Sequence, residues 1–155
     1  MINITEFTQE INQRHMTTKT VSSHRGRGIE LGFTANGSPL TALFLYCPNS
    51  NLIRYELSSR SPVDPDNYLI TKDLLSNISR WKHNRWWIML DTGFFVLQAS
   101  YSAGNARILA ETVVAYLGKM GQEFIQVEPI IDDVAHSLMT VEDAKKHLKT
   151  LGLVK

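Results

Sequence analysis

Apolar and polar residues alternate most regularly over residues 29–46, and this pattern predicts two antiparallel strands. Asn36 and Gly37 divide the run, and the pair favours the tight turn of a β-hairpin because both residues tolerate positive φ. The returning half is apolar on both faces, which is typical of a central strand covered on each side. Pro48 predicts the end of this strand, since proline cannot donate a hydrogen bond to the ladder.

Shorter runs predict the remaining strands. Residues 53–57 alternate and predict a third antiparallel strand, while residues 85–91 and 94–101 predict a second hairpin around a short glycine-containing turn. Residues 17–23 are rich in threonine, valine and serine and could pair as an edge strand. Without that segment, the sheet is predicted to have five strands.

Helical spacing of apolar residues predicts helices on either side of the strands. The first covers residues 4–15, and the second begins at Thr71 as its N-cap and stops near Asn84. A polar loop that contains two prolines, over residues 58–68, precedes the second helix and is predicted to be the most mobile segment. A third and more apolar helix starts at about residue 104.

The C-terminal part is predicted to be helical but interrupted. Gly118 and Gly121 weaken the end of the third helix, and Pro129 breaks the apolar segment that follows. Thr140 is the predicted N-cap of a last helix, which Gly152 closes.

The order of elements predicts an α+β fold in which helices pack on an antiparallel sheet. It reads α-βββ-α-ββ-α with a C-terminal helix. Residues 1–128 are predicted to form this domain, and residues 129–155 are predicted to be a helical extension.

Composition limits the classes of protein to consider. The chain has 155 residues, 43% hydrophobic and 20% charged, which suits one compact domain. Its formal net charge of +1 gives no global electrostatic reason for binding DNA or a membrane surface. Cys47 is the only cysteine, so a disulfide within the chain is excluded and a reducing cytoplasm is the expected location. The sequence has no signal-peptide pattern and no apolar run of membrane-spanning length, so a soluble protein without an anchor is expected.

Motifs that would indicate catalysis or a cofactor are weak. The glycines of RGRGIELG lack the dinucleotide-binding spacing and precede a strand, which favours a solvated turn. His136 follows Asp132 and Asp133, but no second histidine accompanies them, so a solvated acidic turn is favoured over a metal site. Cys47 is predicted to be a buried, inert thiol. We therefore expect no cofactor, no metal and no enzymatic activity.

The stretch SRWKHNRWWIML, residues 79–90, holds all three tryptophans of the chain among basic residues. If a strand starts at Arg85, Trp86 and Trp87 point to opposite sides of the sheet and cannot form one stacking surface. Trp81 and at least one of the pair are predicted to pack in the core, and the other is a candidate anchor for a partner. The residues predicted to bind a partner protein are Arg85, Trp86 and Trp87 together with Val141, Leu148 and Leu151 of the last helix.

Nucleic acid is the alternative partner. Its contacts would be basic residues around the tryptophans and in the preceding glycine loop, provided that both groups lie on one face. These candidates are Arg25, Arg27, Arg80, Lys82 and Arg85.

The element order resembles the YbjN-domain family, whose fold is similar to that of type III secretion chaperones. The likeness also rests on the stretch LLSNISRWKHNRWWIMLDTGFFVLQASYSAGNARILAETVVAYLGKMGQEF. In it, Asn77 and Trp81 stand near the end of the middle helix, Arg85 starts a strand, and Asp91 and Gly93 form the turn that follows. The resemblance implies a non-catalytic protein that binds other proteins, often as a homodimer, along apolar grooves and strand edges. Two features depart from those chaperones: the chain is near neutral where they are usually acidic, and residues 130–155 extend beyond the domain.

Overall fold

The computed structural model describes residues 3–14, 16–23, 26–47, 52–78 and 84–154. The strands are β1 Thr18–Ser23, β2 Gly26–Ala35, β3 Ser38–Cys47, β4 Leu52–Ser58, β5 Arg85–Ile88 and β6 Phe95–Ser102. The helices are α1 Ile4–Asn12, α2 Tyr68–Ser76, α3 Ala106–Ala135 and α4 Val141–Thr150, with a single 3-10 turn over Pro65–Asn67.

The strands form one antiparallel sheet in the order β1-β2-β3-β4-β6-β5. This confirms the α+β class, but the predicted number of five strands is wrong. The segment left out of the count is β1, which pairs with β2 from Thr18 opposite Leu31 to Ser23 opposite Gly26. Among the described helices none is long and apolar enough to cross a membrane.

Two compact units divide the chain. One comprises Met1–Leu57 and Ala99–Gln122, and the other comprises Ser58–Gln98 and Glu123–Lys155. Strand β6 and helix α3 each contribute residues to both units.

The first unit is built on the predicted hairpin, which is confirmed. Asn36 and Gly37 form the turn at φ values of 48° and 78°, and the register runs from Ala35 opposite Ser38 to Gly28 opposite Leu45. The turn therefore uses the positive φ that an Asn-Gly pair allows at little cost. Strand β4 then pairs antiparallel with β3, as predicted.

An aromatic column fills the core of the first unit. Phe44 stacks on Tyr55 with ring centroids 5.3 Å apart, and Tyr55 stacks on Tyr101 at 5.5 Å. Phe7 of α1 packs against Phe44, and Tyr116 of α3 stacks on Tyr101. Burial, and then the neighbouring Tyr101 hydroxyl, raise the pKa of Tyr55 far above its ordinary value. Tyr55 therefore stays uncharged.

Helix α3 continues through both of its predicted weak points, so the predicted break is wrong. A Cβ on Gly121 would lie 2.8 Å from Phe33 and Ala35, so the absent side chain lets the helix approach the sheet closely. Pro129 lies inside the helix, and its missing N–H is tolerated because buried Ile131 and Val134 continue the apolar face. The predicted boundary between residues 128 and 129 falls within this helix.

Helix α2 of the second unit is shorter and earlier than predicted. Asp64 caps the 3-10 turn by accepting from the Asp66 N–H at 3.1 Å, and the chain passes directly into α2 at Tyr68. Thr71 is therefore a buried residue within the helix and not its N-cap. The helix ends at Ser76, where the Ser76 hydroxyl and the Asn77 amide both donate to the Asp73 carbonyl. Such bonds compete with the helical pattern and favour an end at this point.

The other elements of the second unit agree with prediction. Strands β5 and β6 form the second hairpin, and Thr140 caps α4 by accepting from the Asp143 N–H at 3.2 Å. Gly152 follows α4 at a φ of 75°.

The loop before α2 is fixed to the rest of the unit by main-chain bonds from Ser59 to Phe95 and from Val63 to Gly93.

Candidate functional site

Strand β5 lies at one edge of the sheet. Arg85 pairs with Gln98 and Ile88 pairs with Phe95 of β6, and no described strand pairs with the other edge of β5. An edge strand offers unpaired main-chain N–H and C=O groups to another extended chain. β5 is therefore the starting point of the candidate site.

The hydrogen-bond pattern indicates which groups of β5 face outward. The Met89 N–H donates to the Phe94 carbonyl at 2.9 Å, whereas the Phe95 carbonyl accepts from Ser59, away from β5. Because hydrogen-bonded and non-hydrogen-bonded pairs alternate in an antiparallel ladder, Trp86 and Ile88 point their main-chain groups away from β6.

The side chains of β5 alternate in burial, as a strand predicts. Trp86 is 8% exposed, and its ring stacks on Phe124 at 5.7 Å with an interplanar angle of 8°. This confirms that one tryptophan of the pair packs in the core. Trp87 is half-buried, and the Arg85 guanidinium lies 5.3 Å from its ring centroid, within the range of a cation–π contact.

An apolar groove runs beside β5. It has a volume of about 310 Å³ and lies between one face of α2 and the strand. It is lined by Tyr68, Lys72, Leu75 and Ser76 of α2, by Arg85, Trp86, Trp87 and Ile88 of β5, and by Leu90. Leu90 is 82% exposed, and Leu69 and Ile70 of α2 are also exposed. This part of the second unit therefore presents apolar side chains to solvent beside a strand whose outer edge pairs with no described strand.

Two cationic side chains line the groove. Neither Lys72 nor Arg85 forms an ion pair with any residue that the structure describes, and both are exposed. The groove thus combines an apolar lining with positive charge.

A second cavity, the Asn84 cavity, lies next to the groove and has a volume of about 260 Å³. Asn84 is 2% exposed, and its Nδ2 donates to Glu123 Oε2 at 3.3 Å. Asn84 Oδ1 and the Nε1 atoms of Trp86 and Trp87 are buried, and within the described ranges no group pairs with them. The cavity is lined by Leu75, Ser76, Ile78, Asn84, Arg85, Trp86, Trp87 and Glu123.

The predicted partner-binding residues of the last helix differ in accessibility. Leu148 is fully buried and belongs to the core, Val141 is half-buried, and Leu151 is 39% exposed. Of these three residues, Leu151 has the most surface to offer a partner.

The predicted basic surface is described only in part. Arg27 is exposed at the start of β2 in the first unit, and Arg85 is exposed on β5 in the second. Arg25, Arg80 and Lys82 lie outside the described residues, as does Trp81. A nucleic-acid surface therefore stays a prediction.

A polar cluster joins the loop before α2 to the C-terminal half of α3. Arg60 binds both carboxylate oxygens of the buried Glu128, at 3.3 and 3.1 Å, and Ser61 Oγ donates to Asp132 Oδ1 at 3.0 Å. His136 Nδ1 lies 3.3 Å from the same Asp132 oxygen and 2.9 Å from the Asp132 carbonyl oxygen.

The order of groups in this cluster does not suit nucleophilic catalysis. The aspartate lies between serine and histidine, whereas a catalytic histidine must contact the serine. The Asp132 carbonyl, and then the Asp132 carboxylate, raise the pKa of His136 above its ordinary value. Asp132 lies in the last turn of α3, which ends at Ala135, in place of the solvated turn that the sequence favoured. Among the residues that the structure covers, no group of His, Cys, Asp and Glu is arranged to hold a metal ion.

Sequence reasoning missed Asn84, Glu123 and Lys72. The contact between Asn84 and Glu123 joins residues 39 positions apart, so no local spacing signals it. Lys72 was hidden by the misplaced start of α2, because the face of the helix that lines the groove depends on its first turn.

Comparison of the chain with protein-family models, curated proteins and solved structures gives no match. The resemblance to the YbjN-domain family and to secretion chaperones stays a prediction.

Proposed function

We propose that this chain is a protein-binding module that takes an extended segment of another protein beside β5. The observation that carries the proposal is an edge strand that pairs with no further described strand and itself lines an apolar groove of about 310 Å³. In strand addition, main-chain bonds provide affinity and pockets for alternate side chains provide specificity. The outward main-chain groups of Trp86 and Ile88 can form the main-chain bonds. The neighbouring groove can accept the side chains.

The length of β5 limits what the edge contributes alone. Strand β5 has four residues, which span roughly 13 Å at the usual rise of a strand. So short a ladder gives few main-chain bonds, and apolar side chains of the segment must supply most of the affinity. Burying one leucine-sized side chain contributes about 1.5–3 kcal/mol.

Charge distinguishes a foreign segment from a second copy of this chain. Two-fold pairing of β5 with its own copy would bring two Arg85 and two Lys72 side chains into one interface. Like charges placed close together oppose such pairing. An apolar segment that carries an aspartate or glutamate would instead pair with these cations, and we propose this chemistry for the partner.

The first test is selection of displayed random peptides on the full-length chain. We expect enrichment of extended sequences that alternate apolar residues and include a carboxylate. Amide hydrogen exchange measured by NMR would then locate a selected peptide. Binding should slow exchange at Trp86 and Ile88, while Arg85 and Trp87, whose N–H groups face β6, should change little.

Several outcomes would contradict the proposal. Slower exchange at neither Trp86 nor Ile88 would exclude strand addition at β5. A dimer in sedimentation equilibrium that protects the same amides would identify a second copy as the occupant. Binding of a single-stranded oligonucleotide that Arg85→Ala abolishes, with no enriched peptide, would favour the nucleic-acid alternative.

A further inference from the structure

The Asn84 cavity carries a defined set of hydrogen-bonding groups. Asn84 and Trp86 are both more than nine-tenths buried, and each has a polar atom that no described residue satisfies. The Trp87 Nε1 is also buried without a described partner, but the Trp87 side chain lies on the opposite face of the strand from those of Asn84 and Trp86. A buried polar atom without a partner costs about 1–3 kcal/mol, so a ligand that satisfies these atoms recovers free energy on binding.

Chemistry fixes the orientation of the Asn84 amide. Glu123 is a carboxylate and only accepts hydrogen bonds, so the Asn84 group that faces it must be the NH₂ group. Asn84 Oδ1 is thereby left as an acceptor, while the indoles of Trp86 and Trp87 are donors only. The cavity lining therefore calls for a ligand group that both donates and accepts.

We propose that the Asn84 cavity binds a primary amide, the side chain of a glutamine or asparagine in the bound segment. That the amide belongs to the bound segment, and not to a free small molecule, rests on the proposed function. A carboxamide accepts from an indole N–H and donates to Asn84 Oδ1 through its NH₂ group. Arg85 also lines the cavity and would attract a carboxylate, but a carboxylate cannot donate to Asn84 Oδ1. An ammonium group cannot accept from an indole.

The cavity is large enough for an amide side chain. Its volume is about 260 Å³, near the lower end of the roughly 300–1,000 Å³ of sites for drug-sized molecules. It shares five lining residues with the apolar groove, so the two spaces adjoin: Leu75, Ser76, Arg85, Trp86 and Trp87.

Small capped amino acids test the inference on the full-length chain. The probes are N-acetylglutamine methylamide, the glutamate analogue and the methionine analogue, which have side chains of similar length. The indole N–H resonances of Trp86 and Trp87, assigned by Trp→Phe substitution, report on binding. We expect saturable shifts with the glutamine probe, and binding of the other two weaker by about tenfold or more, as the loss of one buried hydrogen bond implies.

Glu123→Gln provides the matched variant, because it removes the carboxylate that orients Asn84. The Asn84 amide can then rotate and donate into the cavity, so we expect the glutamate probe to bind about as well as the glutamine probe. Glu111→Gln, the same change on an exposed residue of α3, is the control and should keep the original discrimination. Trp86→Phe removes the indole donor on the face of Asn84 and keeps an aromatic ring, so it should weaken the glutamine probe.

Equal shifts with all three probes, or no shift with any, would overturn the amide assignment. Protection of the Trp86 and Ile88 main-chain amides by a selected peptide would leave strand addition intact in that case. Conversely, indole shifts with the glutamine probe and no protection by any peptide would refute strand addition while an amide site remained.

Discussion

The sheet has two edges, and they differ in chemistry. Strand β1 reads TKTVSS, and none of its described side chains is buried. Strand β5 reads RWWI, has two buried side chains in four, and lines a groove that exposes Leu90. Natural proteins protect sheet edges with polar residues and lysine, as β1 does with Lys19.

The difference in composition predicts which edge a partner would use. An edge protected along its whole length is compatible with a protein that stays monomeric. An edge that carries tryptophans beside an apolar groove exposes its chain to aggregation unless a partner covers it. We infer that β5 and not β1 is the functional edge.

Truncation of Trp86 should produce the largest effect on stability. Trp86→Ala removes a ring that stacks on Phe124 and contacts Phe95, so we expect the free energy of unfolding to fall by about 3–5 kcal/mol. Val21→Ala on β1 should cost less than about 1 kcal/mol, since Val21 is only half-buried. Urea unfolding measures both, and equal losses would show that the edges do not differ in packing.

Binding should depend most on Leu90. Leu90→Asp places a charge in the apolar groove and should weaken a selected peptide at least about tenfold, given the 1.5–3 kcal/mol for burying a leucine. The control is Leu138→Asp, because Leu138 is 75% exposed and lines neither the groove nor the Asn84 cavity. Fluorescence anisotropy with a labelled peptide gives both affinities. Similar losses in the two variants would point to a general effect of charge and not to the groove.

Much of the fold follows from local patterns. The Asn-Gly hairpin and α4 carry strong signals at short spacing, and both are confirmed. Where prediction failed, tertiary packing determined whether the helix continued. Pro129 and Gly121 read as interruptions of a helix, but burial on either side of Pro129 and close contact at Gly121 keep α3 continuous. The start of α2 carried a usable signal, because Asp64 followed by Pro65 is a known pattern of helix initiation.

The candidate site is less accessible to sequence reasoning. Arg85, Trp86 and Trp87 could be proposed from the sequence because their composition stands out in the chain, and all three line the groove. Asn84 and Glu123 come together only when α3 extends past Gly121, so an error in one helix hides the cavity. Which tryptophan is buried also depends on the register of β5 with β6, and no local residue fixes that register.

Charge in the groove should have a moderate effect. Lys72→Glu reverses one of the two groove cations, and we expect the affinity for a carboxylate-containing peptide to fall about two- to fivefold, as for an exposed ion pair. Raising the salt concentration should weaken the original protein more than the variant. Lys146→Glu on α4 is the control, because Lys146 is exposed and lines neither cavity. An unchanged affinity would remove the argument that the partner is acidic.

The smallest effect concerns the protected edge. Lys19→Val makes the middle of β1 more apolar and brings it closer to the composition of β5. We expect weak self-association at high protein concentration, since an edge lysine disfavours pairing with a second strand. Sedimentation velocity over a concentration series detects it, and Lys19→Arg, which keeps the charge, should stay monomeric. If Lys19→Val also stays monomeric, unpaired main-chain groups at a sheet edge are not sufficient for self-association. The apolar groove would then be the feature that distinguishes β5 as a binding edge.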